Sequence, residues 1–533
     1  MKTVMPDLSE PGSISAWVTE GVAFVDNDCV HGSNKNSTPV TLKSQVAKGL
    51  KWQVINIGGK QLLSLVVFTT LARLLEPAAF GLVGLVGVYL GFISMFADQG
   101  IGAALIQRRI LEPEHMDVAF WCNLACSAFL CAGTIILAGP VARLLGDARL
   151  APLLRWSSLV LILNAASAIH SNLLLKEMNF RSPTIRTLIA NAVGGAIGVS
   201  MALDGFGVWA LIAQQLFAAG AGTIFLWSVS AYRPTFRFSM RHFRELSSVG
   251  WSIFATSLLW FFTSRLDQMV IGRFIGIPTL GLYVIGNKVP DMAKTLTQNP
   301  LESISLPALS RLQDNNEKMC GTIYKGMELN ATISFAIFIG IASISSDLVP
   351  FLFGPKWEGA ITFSILLSIY ALVNVLQVFF HPVLLACGGA RKYIGFSIWN
   401  AIGSATSCAL GVFLGIPFLI VGLTVTSMIV AIPTLIYLRG KIGLSLSKYW
   451  TPCIVPALAS LFMVGVVCLL SILLPGTLRP AILIFSKICA GAVAYISFIF
   501  VFKRDYLIKI ADTVGHAIGG ASRQDGSRNR STA

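Results

Sequence analysis

Apolar runs of membrane-crossing length recur along this chain from residue 52 to residue 502, and few features constrain a fold more tightly. A segment inside hydrocarbon must satisfy each backbone N–H and C=O internally, so only helices and closed barrels span a bilayer. A run of about 20 apolar residues suits a helix, which rises 1.5 Å per residue across a core of about 30 Å. Read between charged and Pro/Gly punctuation, the runs number about fourteen. They open with 52–73, 79–97 and 117–138 and close with 452–474 and 481–502. Charged residues make up 12% of the chain, against about 25% in soluble domains. The expected fold class is all-α: a polytopic membrane protein of about fourteen transmembrane helices, with no loop long enough for a soluble catalytic domain.

The runs are duplicated. Leu71-Ala72-Arg73-Leu74-Leu75-Glu76-Pro77-Ala78-Ala79-Phe80-Gly81-Leu82 lies, without a gap, over Ile271-Gly272-Arg273-Phe274-Ile275-Gly276-Ile277-Pro278-Thr279-Leu280-Gly281-Leu282. A second echo sets Leu174-Leu175 and Arg181 over Leu384-Leu385 and Arg391. The copies start six spans apart, an even number, so they share one orientation and form parallel repeats. The expected organisation is a polar tail at 1–45, six-helix bundles at 46–232 and 245–440, two further helices in 450–503, and a polar tail at 504–533.

Orientation follows from the basic residues, which collect on the cytoplasmic side. With the amino terminus inside, the cytoplasmic segments hold most of the 40 Lys and Arg, among them Lys43, Lys48, Arg108, Arg109, Arg233, Arg241, Arg391 and Lys441. Both termini are therefore expected in the cytoplasm. The net charge of +15 reads as this topology bias together with contacts to anionic lipid, not as nucleic-acid binding. No cleavable signal peptide is expected in the mixed polar stretch 1–40. The ten cysteines are scattered mostly within spans, with no Cys-x-x-Cys pair and no cysteine at metal-ligand spacing from histidine, so neither metal nor cofactor is expected.

Charge inside a span costs about 2.5–3.5 kcal/mol at the bilayer centre, so such residues need partners or water. Their spacing forms stripes. The first span carries Gln53, Asn56, Lys60 and Ser64; the seventh carries Thr256, Trp260, Thr263 and Asp267, with Arg265 beside them. The eighth carries Lys288, Asp291, Thr295, Gln298 and Glu302, with Lys294 and Asn299 alongside. The tenth carries Tyr370, Asn374, Gln377 and His381, and the fourth places Arg155 near its external end. Bases outnumber acids at membrane depth. A cationic cavity lined by Lys60, Arg155, Arg265, Lys288 and Lys294, with Asn56, Asn374, Gln377 and Gln298, suits an anionic substrate. Asp267, Asp291 and His381 are the candidates for ion coupling, while His170 reads as a hydrogen-bonded helix residue. Lys487, in the terminal pair of spans, reads as snorkelling or lining a lipid groove. Pro290, Pro300, Gly58-Gly59 and Gly194-Gly195 mark bends or close helix contacts.

Several of these segments resemble the polysaccharide flippases of the Wzx type, within the multidrug/oligosaccharidyl-lipid/polysaccharide exporter superfamily. They are Ala72-Arg73-Leu74-Leu75-Glu76-Pro77 through Gly81-Leu82, Asp98-Gln99-Gly100-Ile101-Gly102, Arg265-Leu266-Asp267, Gly281-Leu282-Tyr283, Pro307-Ala308-Leu309-Ser310-Arg311-Leu312 and Gly354-Pro355-Lys356-Trp357. The resemblance covers roughly 42–440. It implies two six-helix bundles plus two helices, working by alternating access in a bacterial cytoplasmic membrane. The implied substrate is an undecaprenyl-diphosphate-linked oligosaccharide for exopolysaccharide or lipopolysaccharide synthesis; the partners are membrane lipid, a polysaccharide polymerase and export proteins. The closest rivals are a lipid II flippase and a cation-coupled drug exporter of the same superfamily. Against the exporter, the first span offers Lys60 and no carboxylate. A membrane polymerase or ligase would carry a large loop or paired carboxylates, and neither is present.

Overall fold

The structure, a computed structural model, describes residues 42–98, 105, 112–177, 179–236, 239–240, 242, 257–258, 261–473 and 479–502, with backbone alone for 42–55. Both tails, Gln53 of the first stripe, Thr256, Trp260 and residues 99–104 of the family motif fall outside this description. Among the described residues the chain is helical throughout and contains no strand.

The first half comprises α1 (Leu42–Leu74), α2 (Pro77–Asp98), α3 (Pro113–Leu145), α4 (Leu150–Ser157), α5 (Leu159–Lys176), α6 (Arg181–Leu203) and α7 (Val208–Val229). The second comprises α8 (261–270, running into a π turn at Ile271–Ile275), α9 (Ile277–Ser310), α10 (Asn316–Phe353), α11 (Ile361–Leu376), α12 (Phe380–Ala386), α13 (Ala390–Leu414) and α14 (Ile416–Ile442). The last pair is α15 (Leu446–Leu473) and α16 (Pro480–Phe502), packed on each other and on α10. Twelve of these helices, counting α4–α5 and α11–α12 as one each, are long and apolar enough to cross a membrane. With α8 and α9 the crossings come to fourteen.

Helix α9 departs from its expected bounds. Hydropathy marks it over 279–299, whereas the helix runs 34 residues to Ser310, through Pro290, Pro300 and Pro307. Hydropathy reports where lipid-compatible sequence stops, not where backbone hydrogen bonding stops. Beyond Gln298 the helix is polar on one side, and over its whole length it packs on α2, α10, α11 and α12. The first helix likewise begins at Leu42, ten residues ahead of its apolar run.

Small residues set the closest helix approaches. A Cβ on Gly194 would lie 2.5 Å from Gln214 O in α7, and one on Gly195 2.5 Å from Val67 Cγ2 in α1. The Gly194-Gly195 pair is thus a contact surface, as the helix–helix rule for membranes requires. Lys487 does not snorkel. It is buried, its Nζ lies 2.6 Å from Asp347 Oδ2, and the pair joins α16 to α10. The same lysine borders an apolar groove shared by α10, α15 and α16, lined by Ile337, Ile344, Met463 and Tyr495 among others.

After α7 the chain turns across the base of α3. Asp117, buried in α3, accepts hydrogen bonds from the Tyr232 hydroxyl (2.7 Å), the Thr235 backbone N–H (3.1 Å) and the Thr235 hydroxyl. Burial, and then Asp117 itself, push the Tyr232 phenol far above its ordinary range, so it remains a donor to that carboxylate. Trp121 Nε1 donates to Thr235 O at 3.0 Å, and its indole stacks on Phe236 at 4.2 Å. His170 is buried against Trp227 and Tyr232 with no hydrogen bond to either ring nitrogen among the described residues, which corrects the hydrogen-bonded role expected from sequence.

Candidate functional site

The duplicated twelve-residue motif is where the two halves meet. A Cβ on Gly81 would stand 1.9 Å from Ile277 O, and one on Gly281 would stand 1.9 Å from Pro77 O. In the repeat, Gly81 corresponds to Gly281 and Pro77 to Ile277, so the two contacts are the same contact made twice. Gly84 faces Val284, its own counterpart: a Cβ there would meet Val284 Cγ2 at 3.3 Å. Reciprocal contacts flanking a self-contact are the signature of a two-fold relation. Glycine is required at positions 81 and 281 because backbone, not side chain, occupies the space a Cβ would need.

Around this seam each half caps helix ends of the other. The last carbonyls of a helix lack intrahelical donors and carry partial negative charge. Arg73, at the end of α1, donates from Nε to Leu352 O at 2.9 Å and from Nη2 to Phe351 O, at the end of α10. In return Lys356 Nζ donates to Arg73 O (2.9 Å) and Leu75 O (2.7 Å), and Trp357 Nε1 donates to Ala72 O (2.9 Å). Phe80 packs edge-on against Trp357, and Phe68 against Phe353. On the opposite flank Arg273, the counterpart of Arg73, reaches the end of α3: a Cβ on Gly146 would meet its Nη1 at 3.3 Å. Sequence reasoning placed Arg73 and Arg273 in the repeat and Lys356 in a family motif but gave none of them a role. Their coincidence with the repeat and with Gly354-Pro355-Lys356-Trp357 was the available signal.

Of the basic residues expected to line a cavity, Lys60 lies on α1, Arg265 on α8 and Lys288 and Lys294 on α9, helices that carry the motif copies, while Arg155 lies on α4. Lys288 of α9 crosses to the first half, its Nζ 3.3 Å from Ser64 Oγ and 4.5 Å from the centre of the Phe68 ring. It is attracted by Asp291 and, less strongly, repelled by Lys60. Lys294 is half-buried and attracted by Asp291 and Glu302. Lys60, Arg155 and Arg265 are exposed. Among the described residues none of these five bases forms a salt bridge at 4 Å or less. Gln298 Nε2 donates to Glu302 Oε1 at 2.5 Å, and Asn56 is half-buried.

The tenth-span stripe turns the other way, into the second half. Asn374 Nδ2 donates to Tyr370 O at 2.8 Å, and Gln377 Nε2 donates to Ser427 O of α14 at 3.2 Å. Asp267 accepts from the Tyr283 hydroxyl and is attracted by Arg265, while its Oδ1 is buried with no partner among the described residues. His381 is exposed and packs against the Tyr393 ring at 4.5 Å; Asp291 is also exposed. The structure therefore brings Lys288 against Ser64 across the halves, one helical turn from Lys60. It keeps Asp267, Asn374 and Gln377 in a polar network inside the second half.

Comparison with known proteins fits this architecture. The succinoglycan biosynthesis transport protein ExoT of Rhizobium meliloti is 26% identical over 70% of this chain and 76% of its own length. The lipopolysaccharide biosynthesis protein WzxC of Escherichia coli is 26% identical over 82% of this chain and 90% of its own. A solved structure titled lipid II flippase MurJ, inward closed conformation, superposes with a TM-score of 0.69 over 86% of this chain and all of that one, at 13% identity, a likeness of fold. The family described as polysaccharide biosynthesis protein matches residues 70–362, from the first motif copy to the start of α11. On that match, the chain is a member of the polysaccharide biosynthesis protein family.

Proposed function

We propose that this protein moves an undecaprenyl-diphosphate-linked oligosaccharide from the cytoplasmic to the outer leaflet of a bacterial inner membrane, by alternating access between its two halves. The observation that carries the reading is the pair Lys60 and Lys288. They come from opposite halves, Lys288 reaching Ser64 one helical turn from Lys60, and neither forms a salt bridge among the described residues. Bases without a salt bridge, in a chain this poor in charge, suit an anion, and a diphosphate is one. The relatives, a succinoglycan biosynthesis transport protein and a lipopolysaccharide biosynthesis protein, are in keeping with that substrate class.

In this reading the glycine seam is the outer gate, shut. The diphosphate enters from the cytoplasmic side and rests on Lys60 and Lys288, with Arg155, Arg265 and Lys294 along its path and Asn56 and Gln298 hydrogen-bonding the sugars. The polyprenyl chain stays in lipid, so only charge and hydroxyls need shelter from about 30 Å of hydrocarbon. An anion leaving a negative interior gains about 2.3 kcal/mol per charge per 100 mV. Asp267, with one carboxylate oxygen unpartnered, is the group we assign to proton or cation coupling; Asp291 and His381, both exposed, are secondary candidates. The test is export in a deletion strain. The double variant Lys60→Ala/Lys288→Ala should accumulate lipid-linked saccharide facing the cytoplasm at wild-type protein level; normal polymer export by that variant removes the assignment.

A further inference from the structure

The segment joining the two halves is tied to the base of α3 at a place where three side chains with ligand atoms meet. Glu112 is the N-cap of α3 and His115 its third residue, a three-residue spacing that sets both side chains on one face at the helix start. His242, reached only after the chain has traversed the whole first half, lies against them. Its Nε2 is 3.0 Å from Glu112 Oε2, and its ring centre is 4.3 Å from that of His115, edge to face. One ligand atom from each of the three lies within 4.8 Å of the other two. His115 is 3% exposed, and His242 Nδ1 is buried with no hydrogen-bond partner among the described residues.

We propose that Glu112, His115 and His242 form a site for a divalent transition cation of the zinc type, which fastens the inter-half segment to the first half. Two imidazoles and one carboxylate are a recognised donor set for such ions, with a fourth position left to water. Bonds of about 2.0–2.1 Å set tetrahedral ligand atoms about 3.3 Å apart, so the 3.0 Å pair already has coordination spacing, and the third ligand needs only a short approach. An ion pair between Glu112 and His242 accounts for the 3.0 Å contact and the capping box of α3 for the pairing of Glu112 with His115, but neither employs the buried Nδ1 of His242. His115 Nδ1 accepts a long contact of 3.4 Å from the Glu112 N–H, and ligation by either ring nitrogen displaces it. The adjoining anchor, Asp117 with Tyr232 and Thr235, holds the start of the same segment, so the cation would be its second fastening.

The experiment uses the full chain in nanodiscs, with any polyhistidine tag removed and metal stripped by chelator, titrated with Zn2+ against a chromophoric competitor. The expected result is one equivalent bound by the wild type, with affinity at least tenfold weaker in His242→Gln and in Glu112→Gln. Tryptic cleavage between Arg233 and Arg244 should slow with Zn2+ in the wild type and not in His242→Gln. His242→Gln sits on the connecting segment, so it tests the site even if His115→Gln fails to fold. No bound equivalent, binding indifferent to both substitutions, or cleavage unaffected by bound Zn2+ each overturns the proposal.

Discussion

Alanine at Gly81 tests whether the seam between the halves is a gate. An added Cβ would stand 1.9 Å from Ile277 O, whereas real Cβ atoms essentially never come within 3.0 Å of such an atom. Helices α2 and α9 must therefore part by about 1 Å or more. The obstacle is backbone, so no side chain can swing aside, and overpacking of this kind costs about 1–3 kcal/mol. If transport parts the halves here, that cost falls on the closed state alone and shifts the closed–open balance by about 5–150-fold. The assay is the reaction rate of a single cysteine, placed at the fully buried Ala72 in a chain otherwise cleared of cysteine, with a membrane-impermeant maleimide. Gly81→Ala and Gly281→Ala should each raise that rate 5–150-fold, and by similar amounts, because the two contacts are equivalent. Gly87→Ala, whose Cβ would meet nothing within 4 Å, is the control and should change nothing. Unaltered rates in both seam variants, in protein that purifies like wild type, would refute the reasoning.

Other tests follow from the remaining polar contacts. Arg73→Ala removes charge-assisted hydrogen bonds worth about 1.5–3 kcal/mol to the end of α10, so it should also speed maleimide labelling at the seam. Lys487→Met leaves Asp347 uncompensated; breaking such a pair costs about 3–5 kcal/mol and should lower the thermal midpoint sharply, with Lys487→Met/Asp347→Leu recovering most of it. Asp117→Ala strips Tyr232 and Thr235 of their acceptor and should open the segment after α7 to limited proteolysis, without changing helix content by circular dichroism. Hydrogen bonds from Arg149 hold the Asp147 carboxyl below its ordinary range. The stability this supplies is present above the unfolded value of about 3.9 and is lost as pH falls through the lower folded value. Arg149 is largely exposed, so the gain is small. Arg149→Ala should lie slightly below wild type in thermal midpoint at pH 6 and converge with it in strong acid.

The number of helices was legible because lipid leaves the backbone no alternative, and apolar length reports that constraint directly. The duplication was legible too, since Arg73 and Gly81 recur at Arg273 and Gly281. Partnership was not. The stripe of Asn374 and Gln377 has helical spacing, as does that of Asn56 and Lys60. Spacing fixes a face but not the neighbour it meets, and the tenth-span stripe turns into α14. Lys487 looked like a surface lysine because Asp347, its partner, is 140 residues away. The Glu112, His115 and His242 cluster was invisible for the same reason: two of its members are local, and the third arrives through the path of the whole first half.

Sequence alone determined that this chain lives in a membrane, is helical, and is built twice over, because hydrophobic length and repetition are properties of a linear string. Tertiary structure alone decided what the repeated motif is for. Two glycines 200 positions apart touch the opposite backbones only once the halves face each other, and only then do Arg73 and Lys356 find the helix ends they cap. Contact is a matter of distance in space, which no spacing along the chain encodes.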